Sequence, residues 1–220
     1  MWQAIDAFVK DNLVPGGQRS GRTDMALGIA GLFGCAAAII CDIIAVRVAE
    51  DHTFLGTTVS TLAGGEGGWI MDLGITGFAV GMLAVAAGLW RWPGDGLRWH
   101  LGAVVLALSA AGLLVMAYYD AYAQKFTDAI VIHDPLVAIT GLAFSLTLAL
   151  LAPHMGNLRR GFGYASVGLL VLWLLPWPGV WLAPDSIAGA VERIAGLAMI
   201  AWLALASWFM IQKGRGALPE

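Results

Sequence analysis

Charge is scarce in this sequence. Among 220 residues there are 12 Lys or Arg and 15 Asp or Glu, so charged side chains make up 12% of the chain. A water-soluble domain carries about 25%, and half of that cannot coat an aqueous surface of this size. The net charge of -3 and the lack of any basic block exclude a nucleic-acid partner. Cysteine is nearly missing too. Cys35 and Cys41 stand six positions apart in one apolar segment, on different helix faces, which supports neither a disulfide framework nor a thiolate metal site. The first 24 residues hold Asp6 and Asp11 and no cleavable apolar core, so no signal peptide is expected. Their Ile5, Phe8, Val9 and Leu13 recur at helical intervals, as in a short helix lying on a membrane surface.

What is plentiful is apolar sequence, 59% of the chain, with a mean hydropathy of +0.78. A spanning helix needs about 20 largely apolar residues, and six segments meet that need, near 25–48, 69–91, 99–123, 129–152, 162–183 and 187–212. In lipid the backbone must satisfy its own hydrogen bonds, which continuous helices do. The expected fold is therefore all-α, a polytopic membrane protein built as a six-transmembrane-helix bundle over 25–212. Residues 1–24 form a cytoplasmic N-terminal segment and 213–220 a cytoplasmic tail. The fifth segment carries Pro176, Pro178 and Pro184 within WLLPWPGVWLAP, which predicts a kink or an early stop. Gly28, Gly31, Cys35 and Ala38 in the first span, and Gly74, Gly77, Gly81, Ala84 and Gly88 in the second, predict close packing of those two helices.

Orientation follows from Lys and Arg. One side would hold Lys10, Arg19, Arg22, Arg91, Arg98, Arg159, Arg160, Lys213 and Arg215; the other holds only Arg47, Lys125 and Arg193. Nine against three places both termini in the cytoplasm. Trp90, Trp92 and Trp99 fit a cytoplasmic aromatic belt, and Trp69, Trp177 and Trp181 an outer one.

With the direction set, the intramembrane polar residues gather in the outer halves of five spans. They are Asp42 and Arg47, Asp72, Asp120, His133 and Asp134, and Glu192 and Arg193. The expectation is a polar pocket open to the extracytoplasmic side. Asp42 sits deep enough that a charge there costs about 2.5–3.5 kcal/mol; it needs a partner, Arg193 first and Arg47 second. Asp72 and Asp120 lie close enough to helix ends to reach water. In the run AIVIHDPLVAITG, His133 and Asp134 are adjacent and so point to different faces. One reading has Asp134 cap a helix starting there, with His133 a hydrogen bonder in the pocket wall. A second has the pair act in binding or proton transfer, and a third has it ligate a metal. For Glu192 and Arg193 the alternatives are anchors at a helix start and a structural ion-pair role closing the polar layer.

Three stretches carry a resemblance. LGTTVSTLAGGEGGWIMDLGITGFAVGMLAVAAGL, IHDPLVAITGLAF and AVERIAGLAMIAWLALAS resemble the loop and second helix, the fourth helix and the sixth helix of the bacterial family called domain of unknown function 998. The resemblance implies six membrane helices, no assigned activity, and emphasis on Ser60, His133, Asp134, Glu192 and Arg193. The family is in turn distantly similar to eukaryotic six-helix proteins of the DRAM type, which is a likeness of fold alone.

Three functions compete. The first is a protein that binds or modifies a membrane lipid or other amphiphile, with His133 as general acid or base. Ser60 would be a nucleophile that lacks a G-x-S-x-G elbow. The second is an accessory subunit of a larger membrane complex. The third is a metal-dependent membrane hydrolase using His52, His133, Asp72, Asp134 and Glu192, although no H-x-x-x-H or H-E-x-x-H spacing joins them. Haem between the pairs His52 with His133 and His100 with His154 is a further option, awkward because His52 and His154 fall in loops. The residues name no cofactor and leave open whether the protein is an enzyme.

Overall fold

The computed structural model describes residues 21–50, 52–65, 67–92, 96–123, 130–176 and 179–216, without the side chains of 120–123, 130–132, 180 and 181. The surface helix expected before residue 20 lies outside that range. Among the described residues eight helices follow one another: α1 Gly21–Val48, α2 Val59–Gly64, α3 Trp69–Arg91, α4 Leu97–Ala123, α5 Ile130–Leu158, α6 Arg160–Leu174, α7 Gly179–Leu182 and α8 Ala188–Gly214. No strand occurs among the described residues.

Among the described residues five helices, α1, α3, α4, α5 and α8, are long and apolar enough to cross a membrane. The fifth apolar segment breaks as its prolines predict. Helix α6 has 15 residues, about 22 Å at 1.5 Å per residue, short of the roughly 30 Å hydrocarbon core. It stops at Leu174 before Pro176, whose ring leaves no N–H to continue the ladder.

The long helices close into a ring. Helix α1 packs between α3 and α8, and contacts continue from α3 to α4, α5, α6 and back to α8. Backbone proximity sets the closest crossings. A Cβ at Gly34 would lie 2.7 Å from Gly77 O and 3.0 Å from Gly81 Cα, so α1 and α3 meet backbone to backbone. Gly28 and Gly31 behave otherwise than expected: both face Ser207 of α8, and Gly31 also touches Val85. The small-residue row of α1 therefore serves two neighbours, because a helix wedged between two others needs low relief on both faces.

The tryptophans near the Arg91 end also depart from expectation. Trp92 and Trp99 are 6% and 1% exposed and belong to the core rather than to an interfacial belt. Trp92 stacks on Phe209 at 4.9 Å between centroids, and Trp99 Nε1 donates to Leu89 O at 2.7 Å. A satisfied indole N–H is what permits such burial. Trp69, at the start of α3, is 68% exposed. Trp177 and the Trp181 side chain lie outside the described residues.

The two ends of the bundle differ in chemistry. At one end Gly21 meets Gly214, and Lys213 lies 4.0 Å from Asp24 and 3.3 Å above the Trp92 ring. Arg22, Arg91, Arg98, Arg159, Arg160 and Arg215 stand at helix termini on this same end. The opposite end holds α2, the start of α8 and the acidic groups described next.

Enlarging Gly34 tests the crossing. Gly34→Leu should lower stability by at least about 1–3 kcal/mol, read as a drop in thermal unfolding temperature in detergent. Gly168→Leu, where an added Cβ meets nothing within 4 Å, should leave it unchanged. Equal tolerance at both positions would contradict the packing.

Candidate functional site

Asp42 and Arg193, 151 positions apart, form the strongest polar contact of the acidic end. Arg193 Nε donates to Asp42 Oδ2 at 2.9 Å and Nη2 donates to Oδ1 at 2.8 Å, the two-pronged geometry that only a guanidinium offers a carboxylate. The side chains are 12% and 19% exposed. Nη1 turns the other way and donates to three carbonyls, Thr57 O at 2.7 Å, Phe54 O at 3.0 Å and Gly189 O at 3.2 Å. The Phe54 ring lies 5.3 Å from the guanidinium carbon. Arg47 was the second candidate partner for Asp42; it is exposed in the last turn of α1, and the pair forms with Arg193.

Arg193 thereby ties residues 54–57 to the start of α8. Ala190 N–H adds a bond to Leu55 O at 2.9 Å. Gly189 makes the approach feasible, since any Cβ there would collide with Thr57 O. Beyond this tether Thr58 caps α2, its hydroxyl accepting from Thr61 N at 3.0 Å. Helix α2 is then held to α8 by Glu192. Its Oε2 accepts from Val59 N at 2.6 Å, and its Oε1 accepts from Ser60 Oγ at 3.0 Å. His133, in the first turn of α5, brings Nε2 to 3.1 Å from the same Ser60 Oγ. One hydroxyl thus sits between an imidazole and a carboxylate delivered by three different elements.

These groups border a cavity of about 400 Å³, within the range of roughly 300–1,000 Å³ typical of small-molecule sites. Asp42, Ser60, His133, Glu192 and Arg193 stand at one end, and apolar walls from Phe78, Met199 and Trp173 continue inward. Trp173 Nε1 is satisfied by Ser145 Oγ at 2.9 Å, so the wall offers no free indole donor. The cavity thus joins a polar end to largely apolar walls.

The sequence profile of one family matches residues 32–209. The chain belongs to DUF998, a family described as proteins of unknown function. No curated protein and no solved structure matches it. The resemblance read from the loop and second, fourth and sixth helices thus holds over most of the DUF998 chain.

Of the residues singled out in the sequence, five converge. Asp134 is exposed, next to His133 but lining no part of the cavity. Nor does it cap a helix, because α5 starts at Ile130 and runs through Pro135. Asp72 is half-buried in the first turn of α3, away from the cavity lining. The Asp120 side chain lies outside the described residues. Among the described residues no group of three His, Cys, Asp or Glu could hold a metal ion, so the zinc reading finds no donor set there. His52 Nδ1 pairs with Thr57 Oγ1 at 3.3 Å, while His100 and His154 stand edge-on to Trp90 and Trp99. Sequence reasoning missed Phe54 and Thr57, whose carbonyls hold Arg193. The hydroxyl-rich run HTFLGTTVST was the available signal.

Breaking this half-buried ion pair leaves a charge without its partner, at a cost of up to about 3–5 kcal/mol. Asp42→Ala should lose that much, and Arg193→Lys should lose a large part of it because an ammonium cannot make the two-pronged contact. Asp134→Asn should change stability by less than about 0.5 kcal/mol. Unfolding in detergent reads all three; equal effects of Asp42→Ala and Asp134→Asn would remove the pair from its structural place.

Proposed function

We propose that this DUF998 protein is a six-crossing protein of a bacterial inner membrane, with both termini in the cytoplasm, that binds a lipid or other amphiphile from the extracytoplasmic side. The observation that carries the reading is the cavity itself, apolar for most of its length and bordered at one end by Asp42, Ser60, His133, Glu192 and Arg193. An amphiphile satisfies both parts at once: its chain covers apolar wall, worth about 25 cal/mol per Å² removed from water, and its headgroup meets hydrogen-bonding partners. A fully polar solute would leave the walls unused, and a pure hydrocarbon would strand the polar end.

The direction rests on charge. Arg and Lys gather at the end opposite the cavity mouth, and cytoplasmic ends carry that excess. Helix α6 with the turn and short α7 after it supplies the remaining crossing in this reading. A fluorescent protein fused at the C-terminus should fluoresce, whereas alkaline phosphatase fused there should be inactive. The reverse pattern would invert the topology and put the cavity on the cytoplasmic side.

Gly196 gives a test of the cavity that spares the fold. It lines the cavity, and a Cβ there meets nothing within 4 Å, so Gly196→Phe projects a ring into open space. Binding of a long-chain amphiphile, followed by native mass spectrometry, should weaken at least about tenfold, equivalent to about 1.4 kcal/mol, with the unfolding temperature unchanged. Unaltered binding in a folded Gly196→Phe protein would place the ligand elsewhere.

A further inference from the structure

We propose that the bound amphiphile is an acyl ester and that Ser60 is the nucleophile that takes its acyl group. The inference rests on the amphiphile reading above and adds a reaction to it. Three observations carry it. Ser60 Oγ lies 3.1 Å from His133 Nε2 and 3.0 Å from Glu192 Oε1, within the reach of about 2.6–3.2 Å that a nucleophile and its base require. The hydroxyl lines the polar end of the apolar cavity, where the ester carbonyl of a chain seated inside would arrive. Water also has access, because α2 exposes Thr61 and Gly64 beside it.

The residues fall into distinct tasks. Ser60 Oγ first turns its one proton from Glu192 Oε1 to His133 Nε2, which takes it as the oxygen attacks the carbonyl carbon. The bond from that carbon to the alcohol oxygen breaks, the leaving alcohol takes the proton from His133, and an acyl-serine remains. Water then attacks the same carbon, again giving its proton to His133. The acid is released, and Ser60 Oγ recovers a proton. No oxidant or reductant is needed. Glu192 is a positioning residue: accepting from Val59 N–H and Ser60 Oγ, it holds the hydroxyl in place before the attack. Arg193 is a second positioning residue: by binding Asp42 and the carbonyls of Phe54 and Thr57 it fixes the segment that leads into α2.

The charges narrow the substrate class. Arg193 is committed to Asp42 and to backbone carbonyls, and no second Lys or Arg lines the cavity among the described residues, so the polar end favours an uncharged headgroup over a phosphate. A single acyl chain with a neutral alcohol portion fits both the walls and the polar end.

A long-chain alkyl fluorophosphonate tests the proposal on the purified full-length protein, because a nucleophilic serine displaces its fluoride and keeps the phosphonyl group. The expected result is one adduct per chain, located on Ser60 by peptide mass spectrometry and absent from Ser60→Ala. His133→Gln should slow labelling at least about a hundredfold, with unfolding temperature reporting that it is folded. Glu192→Gln, which keeps an acceptor for Val59 N–H, should lower the maximal labelling rate and leave the half-saturating concentration of probe unchanged. Asp134→Asn should label as the wild type does. No adduct on Ser60, or wild-type labelling of His133→Gln, would overturn the proposal. A long-chain alkyl ether of glycerol, uncharged and without an ester to cleave, separates the two readings. If it binds while the fluorophosphonate leaves Ser60 unmodified, only the acyl transfer falls; if it does not bind, the amphiphile reading falls with it.

Discussion

The bond between Asp42 and Arg193 is the constraint on which the acidic end of the bundle depends. Either charge alone inside a membrane helix costs about 2.5–3.5 kcal/mol on insertion scales, and a loose pairing would recover little of that. The two contacts of 2.8 and 2.9 Å satisfy both carboxylate oxygens at once. Because the guanidinium is planar and rich in donors, it can do this on one edge and still reach backbone carbonyls on the other. The pair joins the end of α1 to the start of α8, and the carbonyls of Phe54 and Thr57 fix the connecting segment upon them.

The position of α2 follows from that anchoring. A helix of six residues has no stability of its own in isolation. Here it is capped by Thr58, bonded to Glu192 through Val59 and Ser60, and tethered by the segment before it. Ser60 is therefore presented to His133 by a stack of contacts that begins with Asp42. Binding sites need such support, since side chains hold a geometry only when their neighbours do. Helix α6 matters in a different way. Its Trp173 lines the cavity one residue before the helix ends at Leu174, so the proline-broken segment shapes the wall that a regular helix would have continued.

Much of this was legible in the order of residues. The apolar segments near 69–91 and 187–212 match α3 and α8 within two residues at each end, because unbroken apolar length is a local property that lipid selects directly. The depth of Asp42 and the short list of cations at its level were enough to name Arg193. His133 was placed in the site but not separated from Asp134, since adjacent residues share a depth and differ only in the face they present. Trp92 and Trp99 were assigned to an interface on the strength of nearby arginines, and packing drew them inside. Helix α2 was hidden within a long connection, too short to show periodicity.

By itself the sequence determined that this chain is helical and membrane-borne, roughly where its long helices run, and at what depth its polar groups lie, because these depend on composition along the chain. Only the tertiary structure decided which groups meet. Asp42 reaches Arg193 across 151 positions, and Ser60 reaches Glu192 across 132 and His133 across 73. The rotation of each helix about its own axis chooses among neighbours at equal depth, and that rotation is set by how small residues such as Gly34, Gly81 and Gly189 let backbones approach.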